Sequence, residues 1–295
     1  MNIGFVGDVL SRNIRTSRTF RLASYTPERF RETVAANLRG VREALLFAYQ
    51  HGIGVYRFSS DIIPFASHPV CTIPWEEEFA AELREIGDIV RRNGIRTSAH
   101  PDQFVVLNAL DTSVVQNGIG ELMYHVRMFE AMGLGPDHTI QIHVGGVYGD
   151  KREAMRRFAQ VFRHLDSSLR SRLAIENDDR SYSVADCLSL HSEIGVPVIF
   201  DVFHHSILNG GEPWVDAARA CFATWRTGDA VPLMDYSTQK PGGRMGNHAD
   251  HIDAGDFRSF VRELRAGIGD TCDVILEIKD KDISALEAVR ILHEE

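Results

Sequence analysis

The chain has 295 residues, 44% of them hydrophobic and 25% charged, with a formal charge of −9. This is an ordinary soluble composition, and the length suffices for a large core in one α/β domain or two. The acidic balance argues against a general basic nucleic-acid footprint, although a local basic strip or bound cations can still make a cleft positive.

The first strand is expected at residues 2–6, directly at the start, with no basic leader and no long apolar run before it. A cytoplasmic protein with no membrane span is therefore expected. Residues 7–24 read as a long polar loop carrying Arg12, Arg15, Arg18 and Arg21. Loops of that length in compact domains are often functional. Thr26 and Pro27 open a helix, as N-cap and first-turn proline. Phe30, Val34, Leu38, Val41 and Leu45 share one face of it, and Gly52 ends it. A second strand spans 53–58, and the loop after it holds His68.

A helix is expected over 75–92 and a third strand over 95–99, ending at His100. A helix over 111–132 leads to a fourth strand over 139–144, which contains His143. An amphipathic helix over 151–169 follows. Then Leu173, Ala174 and Ile175 form an apolar run, stopped by Glu176. A run with no alternation fits a strand buried on both faces. A carboxylate at its end fits no need of a core, because burying a charge is costly unless a cation or donor meets it. Ser183 caps a helix ending at Gly195, and a sixth strand spans 196–200 before Asp201 and His204. A helix over 213–225, a strand over 231–234 ending at Asp235, a loop with His248, a helix over 256–266, a strand over 274–276 before Glu277, and a last helix over 283–293 complete the order.

Eight strands alternating with helices argue for a closed (β/α)8 TIM barrel filling residues 1–295 as a single domain. No GxGxxG follows the first strand, which disfavours a dinucleotide-binding half. The cysteines at 71, 187, 221 and 272 are far apart, so neither a zinc ribbon nor a disulfide framework is expected.

His100, His143, Glu176, Asp201, Asp235 and Glu277 each fall at or just past the C-terminal end of a different strand. In a barrel those ends converge on the face where active sites form. His68, His204 and His248 lie in the following loops. Imidazoles and carboxylates without thiolate suit Mn²⁺, Zn²⁺, Fe²⁺ or Co²⁺. The number of donors suggests two or three ions, with Glu176 shared by a pair about 3.5–4 Å apart. Such a centre serves either phosphodiester hydrolysis or sugar isomerisation. The first calls for basic groups at the rim, and Arg12, Arg15, Arg18, Arg180, Lys240, Arg244, Lys279 and Lys281 are the candidates. The other histidines, His51, His125, His138, His164, His191 and His293, read as structural, and His205 and His251 stay open.

At these residues the sequence resembles the UV damage endonuclease family. The matching pieces are TFRLAS (19–24), SSDIIPFASHP (59–69), HPDQFVVLN (100–108), IQIHVGG (140–146), LAIENDD (173–179), PVIFDVFHHSILN (197–209), DYSTQ (235–239) and LEIKDKDISAL (276–286). A more distant likeness is to the endonuclease IV type of abasic-site nuclease and to sugar isomerases of the xylose-isomerase-like barrel. The resemblance implies an ATP-independent repair nuclease. It would nick duplex DNA immediately 5′ to cyclobutane pyrimidine dimers and 6-4 photoproducts, leaving 3′-hydroxyl and 5′-phosphate ends, with Mn²⁺ as the preferred ion. It carries over His100, His143, Glu176, Asp201, His204, His248 and Glu277 as ligands and His68 as a site residue. Gln103 and Phe104 match the pair that wedges into the helix at the lesion.

Asp235 and Leu233 stand where many members have His and Lys; Asp235 is kept as a ligand, whereas Leu233 cannot serve. Phe104 and Phe5 stand where Tyr is common. Glu176, His68 and Lys279 are thus expected to act in catalysis, and Gln103, Phe104, Phe5, Arg12 and Arg244 to meet UV-damaged double-stranded DNA. A monomer acting on the nucleoid is expected. The alternatives are an abasic-site endonuclease or a metal-dependent sugar isomerase on the same barrel.

Overall fold

The computed structural model describes residues 1–225 and 231–295. Eight parallel strands close into a barrel in sequence order: β1 (Ile3–Val6), β2 (Val55–Phe58), β3 (Arg96–Ala99), β4 (Thr139–His143), β5 (Leu173–Glu176), β6 (Val198–Asp201), β7 (Leu233–Tyr236) and β8 (Asp273–Leu276). The ring closes where Gly4 pairs with Ile275. The expected TIM barrel is the fold. The helices between strands are α1 (Pro27–Gln50), α2 (Trp75–Glu78), α3 (Ala80–Asn93), α4 (Thr112–Ala131), α5 (Lys151–His164) and α6 (Ser167–Arg170) in the first half. The second half has α7 (Val184–Ile194), α8 (Val202–Ile207), α9 (Trp214–Phe222), α10 (Ala254–Gly267) and α11 (Asp282–Glu294). None of them is long and apolar enough to cross a membrane.

Local chemistry sets the boundaries. Thr26 accepts from the Arg29 amide at the start of α1, and Ser183 and Asp186 form a capping box on α7. Four expectations shift. The helix expected over 75–92 is interrupted at Phe79, whose φ of −106° and ψ of 23° tuck its ring into the core. The helix expected over 151–169 breaks because Leu165 turns extended and Asp166 caps a new turn, accepting from the Ser168 amide. Strand β7 begins two residues late, after Pro232, which has no N–H for a ladder. The residues after Asp201, read as loop, instead form α8, with Asp201 Oδ1 accepting from the His204 amide at 2.7 Å.

Two cores result. The larger lies between strands and helices and takes the whole expected face of α1. The smaller fills the barrel interior with Val55, Ala174, Ile199, Leu233 and Ile275. Strand side chains alternate with period two. Two residues further along those same five strands stand Arg57, Glu176, Asp201, Asp235 and Glu277. An apolar plug therefore lies directly beneath a charged layer, and Leu233 belongs to the plug. Phe5 points the other way. It is fully buried, edge-on to Tyr56 at 5.4 Å, so the expectation that it meets DNA is corrected: its place on β1 turns it outward into the helix-facing core.

The outer layer is tight where α3 meets the end of α4. A Cβ built on Gly87 would lie 1.7 Å from the Met132 carbonyl oxygen. Gly87→Ala should cost roughly 1–3 kcal/mol by overpacking. Its urea midpoint should fall at unchanged slope; a midpoint equal to wild type would show that α3 can move away freely.

Candidate metal centre

The C-terminal strand ends bring most of the expected residues together. Among the described residues, two groups form in each of which the donor atoms lie within 4.8 Å of one another: His100, His143 and Glu176, and Glu176, Asp201 and His204. Glu176 belongs to both. Its Oε2 lies 3.8 Å from His100 Nε2 and 3.7 Å from His143 Nε2. Its Oε1 lies 3.0 Å from His204 Nδ1. The register explains this, because Glu176 pairs directly with His143 across β4 and β5.

Each group is oriented from behind. Asn177 clips β5 to β6 with two 3.0 Å bonds to the Asp201 backbone. His204 Nδ1 faces the Asn177 carbonyl at 3.0 Å, and His248 Nδ1 faces the Glu277 carbonyl at 2.9 Å. Such contacts fix the ring orientation and, in a neutral imidazole, place the proton on Nδ1, away from Nε2. His248 stacks edge-on against His204, 5.8 Å between ring centres. Asp201 uses one oxygen to cap α8. Its other oxygen, Oδ2, is buried without a hydrogen-bond partner, as are Glu176 Oε1 and His143 Nδ1. Orphaned buried acceptors are rare because each costs about 1–3 kcal/mol. The residues fit a divalent-ion centre: orphan atoms lie in both groups, and the donors are imidazole nitrogens and carboxylate oxygens.

The electrostatics agree. Burial pushes the Glu176 carboxyl up, but the imidazoles of His143, His204 and His100 outweigh it and hold it well below the usual range. Burial, with Glu176, Glu277 and Asp235 nearby, pushes Asp201 well above the usual range. Against the effect of burial, Asp201 and Glu176 raise His204 to about 11. At neutral pH the trio of Glu176, Asp201 and His204 therefore carries a proton. A ligand imidazole or carboxylate must be deprotonated. Metal uptake should release protons, and apparent affinity should rise with pH and fall on acidification. Titration of the protein with Mn²⁺ in two buffers of unlike ionisation enthalpy checks this; equal heats in both would contradict it.

Other expected residues are placed differently. Glu277 Oε1 stands 3.7 Å from His100 Nδ1, at the edge of the first group. Asp235 is in neither group. It is fully buried in the charged layer, and its carboxylate is paired to Arg57 at 2.6 Å. His68 sits exposed on the loop after β2, its Nδ1 accepting from the Val70 amide at 3.0 Å. Lys279 is half-exposed, 3.4 Å from Asp250. Arg12 and Arg244 are exposed and form no ion pair among the described residues. Gln103 and Phe104 stand on the turn directly after His100, and Phe104 is 58% exposed.

Sequence reading missed Arg57 and Gln141. Both were visible as polar residues inside apolar strands, the same anomaly that marked Glu176. A cavity of about 590 Å³ opens beside the donors, lined by His100, Gln103, His143, Tyr148, Arg180 and His248 among others. A larger one, about 730 Å³, lies at the opposite end of the strands around Arg96, His138 and Arg172, away from the donors.

The sequence model of the family described as "UV-endonuclease UvdE" matches residues 2–295. The chain belongs to the UV-endonuclease family. It is an enzyme of UV-damage repair, an endonuclease, as the resemblance implied. The UV DNA damage endonuclease of Clostridium perfringens (strain 13 / Type A) is 33% identical over 297 residues, covering 100% of this chain and 71% of that protein. The crystal structure of SacUVDE is 42% identical, covers 100% of this chain and 98% of that one, and has a TM-score of 0.95. Endonuclease IV from Thermus thermophilus is only 14% identical, with a TM-score of 0.62 over 100% of this chain and 98% of that one, which shows the shared barrel alone.

Proposed function

We propose that this member of the family is a metal-dependent, ATP-independent nuclease that nicks duplex DNA immediately 5′ to cyclobutane pyrimidine dimers and 6-4 photoproducts, leaving 3′-hydroxyl and 5′-phosphate ends. The observation that carries the reading is the pair of donor groups sharing Glu176, with Gln103 and Phe104 exposed beside them. His100, His143, Glu176, Asp201 and His204 would hold two or three divalent ions, with His248 and Glu277 at the edges. Mn²⁺ is the ion proposed over Zn²⁺, Co²⁺ or Mg²⁺. Bound there, the ions would supply Lewis-acid polarisation of a phosphate and activation of water.

The chain's own residues do the rest. Gln103 and Phe104 enter the helix at the lesion, where the ring replaces lost stacking and the amide meets exposed base edges. A damaged pair costs least to unstack, which gives selectivity. Arg12 and Arg244 offer charge to the backbone on either side, with His68 and Lys279 further along the rim. The Asn177 clip and the Glu277 carbonyl keep His204 and His248 from turning away. Residues 1–295 act as one domain, and the enzyme works as a monomer on chromosomal DNA in the cytoplasm.

The test is a duplex oligonucleotide with one defined dimer, incubated with Mn²⁺, with Mg²⁺ or with chelator. A single nick 5′ to the dimer that appears with Mn²⁺ and vanishes with chelator is expected. Equal cleavage of the undamaged duplex would overturn the reading.

A further inference from the structure

Beneath the donor groups lies a second polar assembly whose geometry differs from theirs in one decisive respect: every group in it is satisfied. Arg57 comes from β2 and its side chain is 0% exposed. Its Nη1 donates to Glu277 Oε1 at 2.6 Å and to Asp235 Oδ2 at 3.2 Å. Its Nη2 donates to Asp235 Oδ1 at 2.6 Å and to Gln141 Oε1 at 2.7 Å. Its Nε donates to Ser98 Oγ at 3.3 Å. A guanidinium has five N–H donors and no acceptor. All five have acceptors here, drawn from β3, β4, β7 and the end of β8.

Gln141 links this layer to the centre above. Arg57 can only donate, so the amide oxygen of Gln141 must face it. That orientation turns the amide nitrogen toward the carboxylates. It donates to Asp235 Oδ2 at 2.5 Å and to Glu176 Oε2 at 2.5 Å. Both oxygens of Asp235 are therefore engaged, one by Arg57 and the other by Arg57 and Gln141 together. The contrast is with Glu176 Oε1 and Asp201 Oδ2, which are buried and close no hydrogen bond although His204 Nδ1 faces them at 3.0 Å and 3.4 Å. Orphan oxygens lie in the two donor groups; none lies on Asp235.

Breaking such a buried pair by removing one partner is strongly destabilising, because it leaves a charge without compensation. An ion taking Asp235 as a ligand would have to compete with a bidentate guanidinium that has no exposed route out of the barrel. We infer that Arg57 is a built-in cation that balances the charge of Asp235 and the inner oxygen of Glu277, so that the centre takes two divalent ions, one per donor group, and Asp235 is not a ligand. The inference rests on the metal-centre reading above and narrows its ion count. Asp235 is the anion that keeps Arg57 charged and in place, and the Gln141 amide transmits that placement to the carboxylate the two ions share.

The test is metal content. The full-length protein is loaded with excess Mn²⁺, desalted and assayed for manganese per chain by plasma mass spectrometry, beside Asp235→Asn, which keeps the shape of the side chain. The expected result is two ions per chain in both proteins. Three ions in wild type and two in Asp235→Asn would overturn the inference, since Asp235 would then be a ligand. No retained manganese in wild type would instead overturn the metal-centre reading on which it rests. Circular dichroism and the unfolding midpoint of Asp235→Asn accompany the count. If Asp235→Asn does not fold, the wild-type count alone still decides between two ions and three.

Discussion

Glu176→Gln should leave the barrel folded and cut nicking of UV-irradiated plasmid by at least about 10³-fold, more than the loss of a single oxyanion-hole donor costs. The substitution keeps volume and shape, and the amide oxygen can still accept from Gln141, so the apolar plug below is undisturbed. What it removes is the negative charge held against burial by three imidazoles, and with it the only carboxylate belonging to both donor groups among the described residues. An amide cannot serve two ions as a carboxylate does. A loss of 10³ corresponds to about 4 kcal/mol of barrier, well beyond what small displacements of neighbouring ligands produce. The measurement is initial nicking rate beside the unfolding midpoint. Near wild-type nicking by a folded variant would end the shared-ligand role.

Phe104→Ala should lower nicking of a dimer-containing duplex by about 10–100-fold, from a stacking loss of roughly 1–3 kcal/mol per base, and leave stability within about 0.5 kcal/mol of wild type. The structural ground for separating the two effects is the turn itself. Pro101 and Val105 are buried, the Val105 amide bonds to the Asp102 carbonyl at 3.0 Å, and Gln103 and Phe104 are carried outward between them. A ring 58% exposed gives the core almost nothing, so its removal costs the fold little. The centre is untouched by the change, so manganese content should stay as in wild type. Unchanged discrimination between damaged and intact duplex would remove Phe104 from lesion recognition.

The candidate site was legible to an unusual degree because it is built at strand ends. A carboxylate after Leu173, Ala174 and Ile175 breaks an apolar run, and the same break recurs at His143 and Asp201. The barrel follows from the alternation of such runs with capped amphipathic helices. The less legible parts depend on direction. Phe5 and Glu176 both read as strand residues near a mouth, yet one faces the helices and the other the barrel axis. His204 looked like a loop residue, although Asp201 three positions earlier is a good N-cap and folds it into α8.

Period and polarity along single strands thus determined the fold, the end of the barrel where the donors gather and most of those donors, because each is a property of residues a few positions apart. Tertiary structure alone decided which carboxylates are free. Asp235 and Asp201 are alike in sequence, each following an apolar run, and they pair directly in register across β6 and β7. One meets Arg57 from the far side of the barrel and is satisfied; the other keeps an oxygen without a partner. That difference arises from contacts 178 residues apart in the chain, which no local pattern encodes.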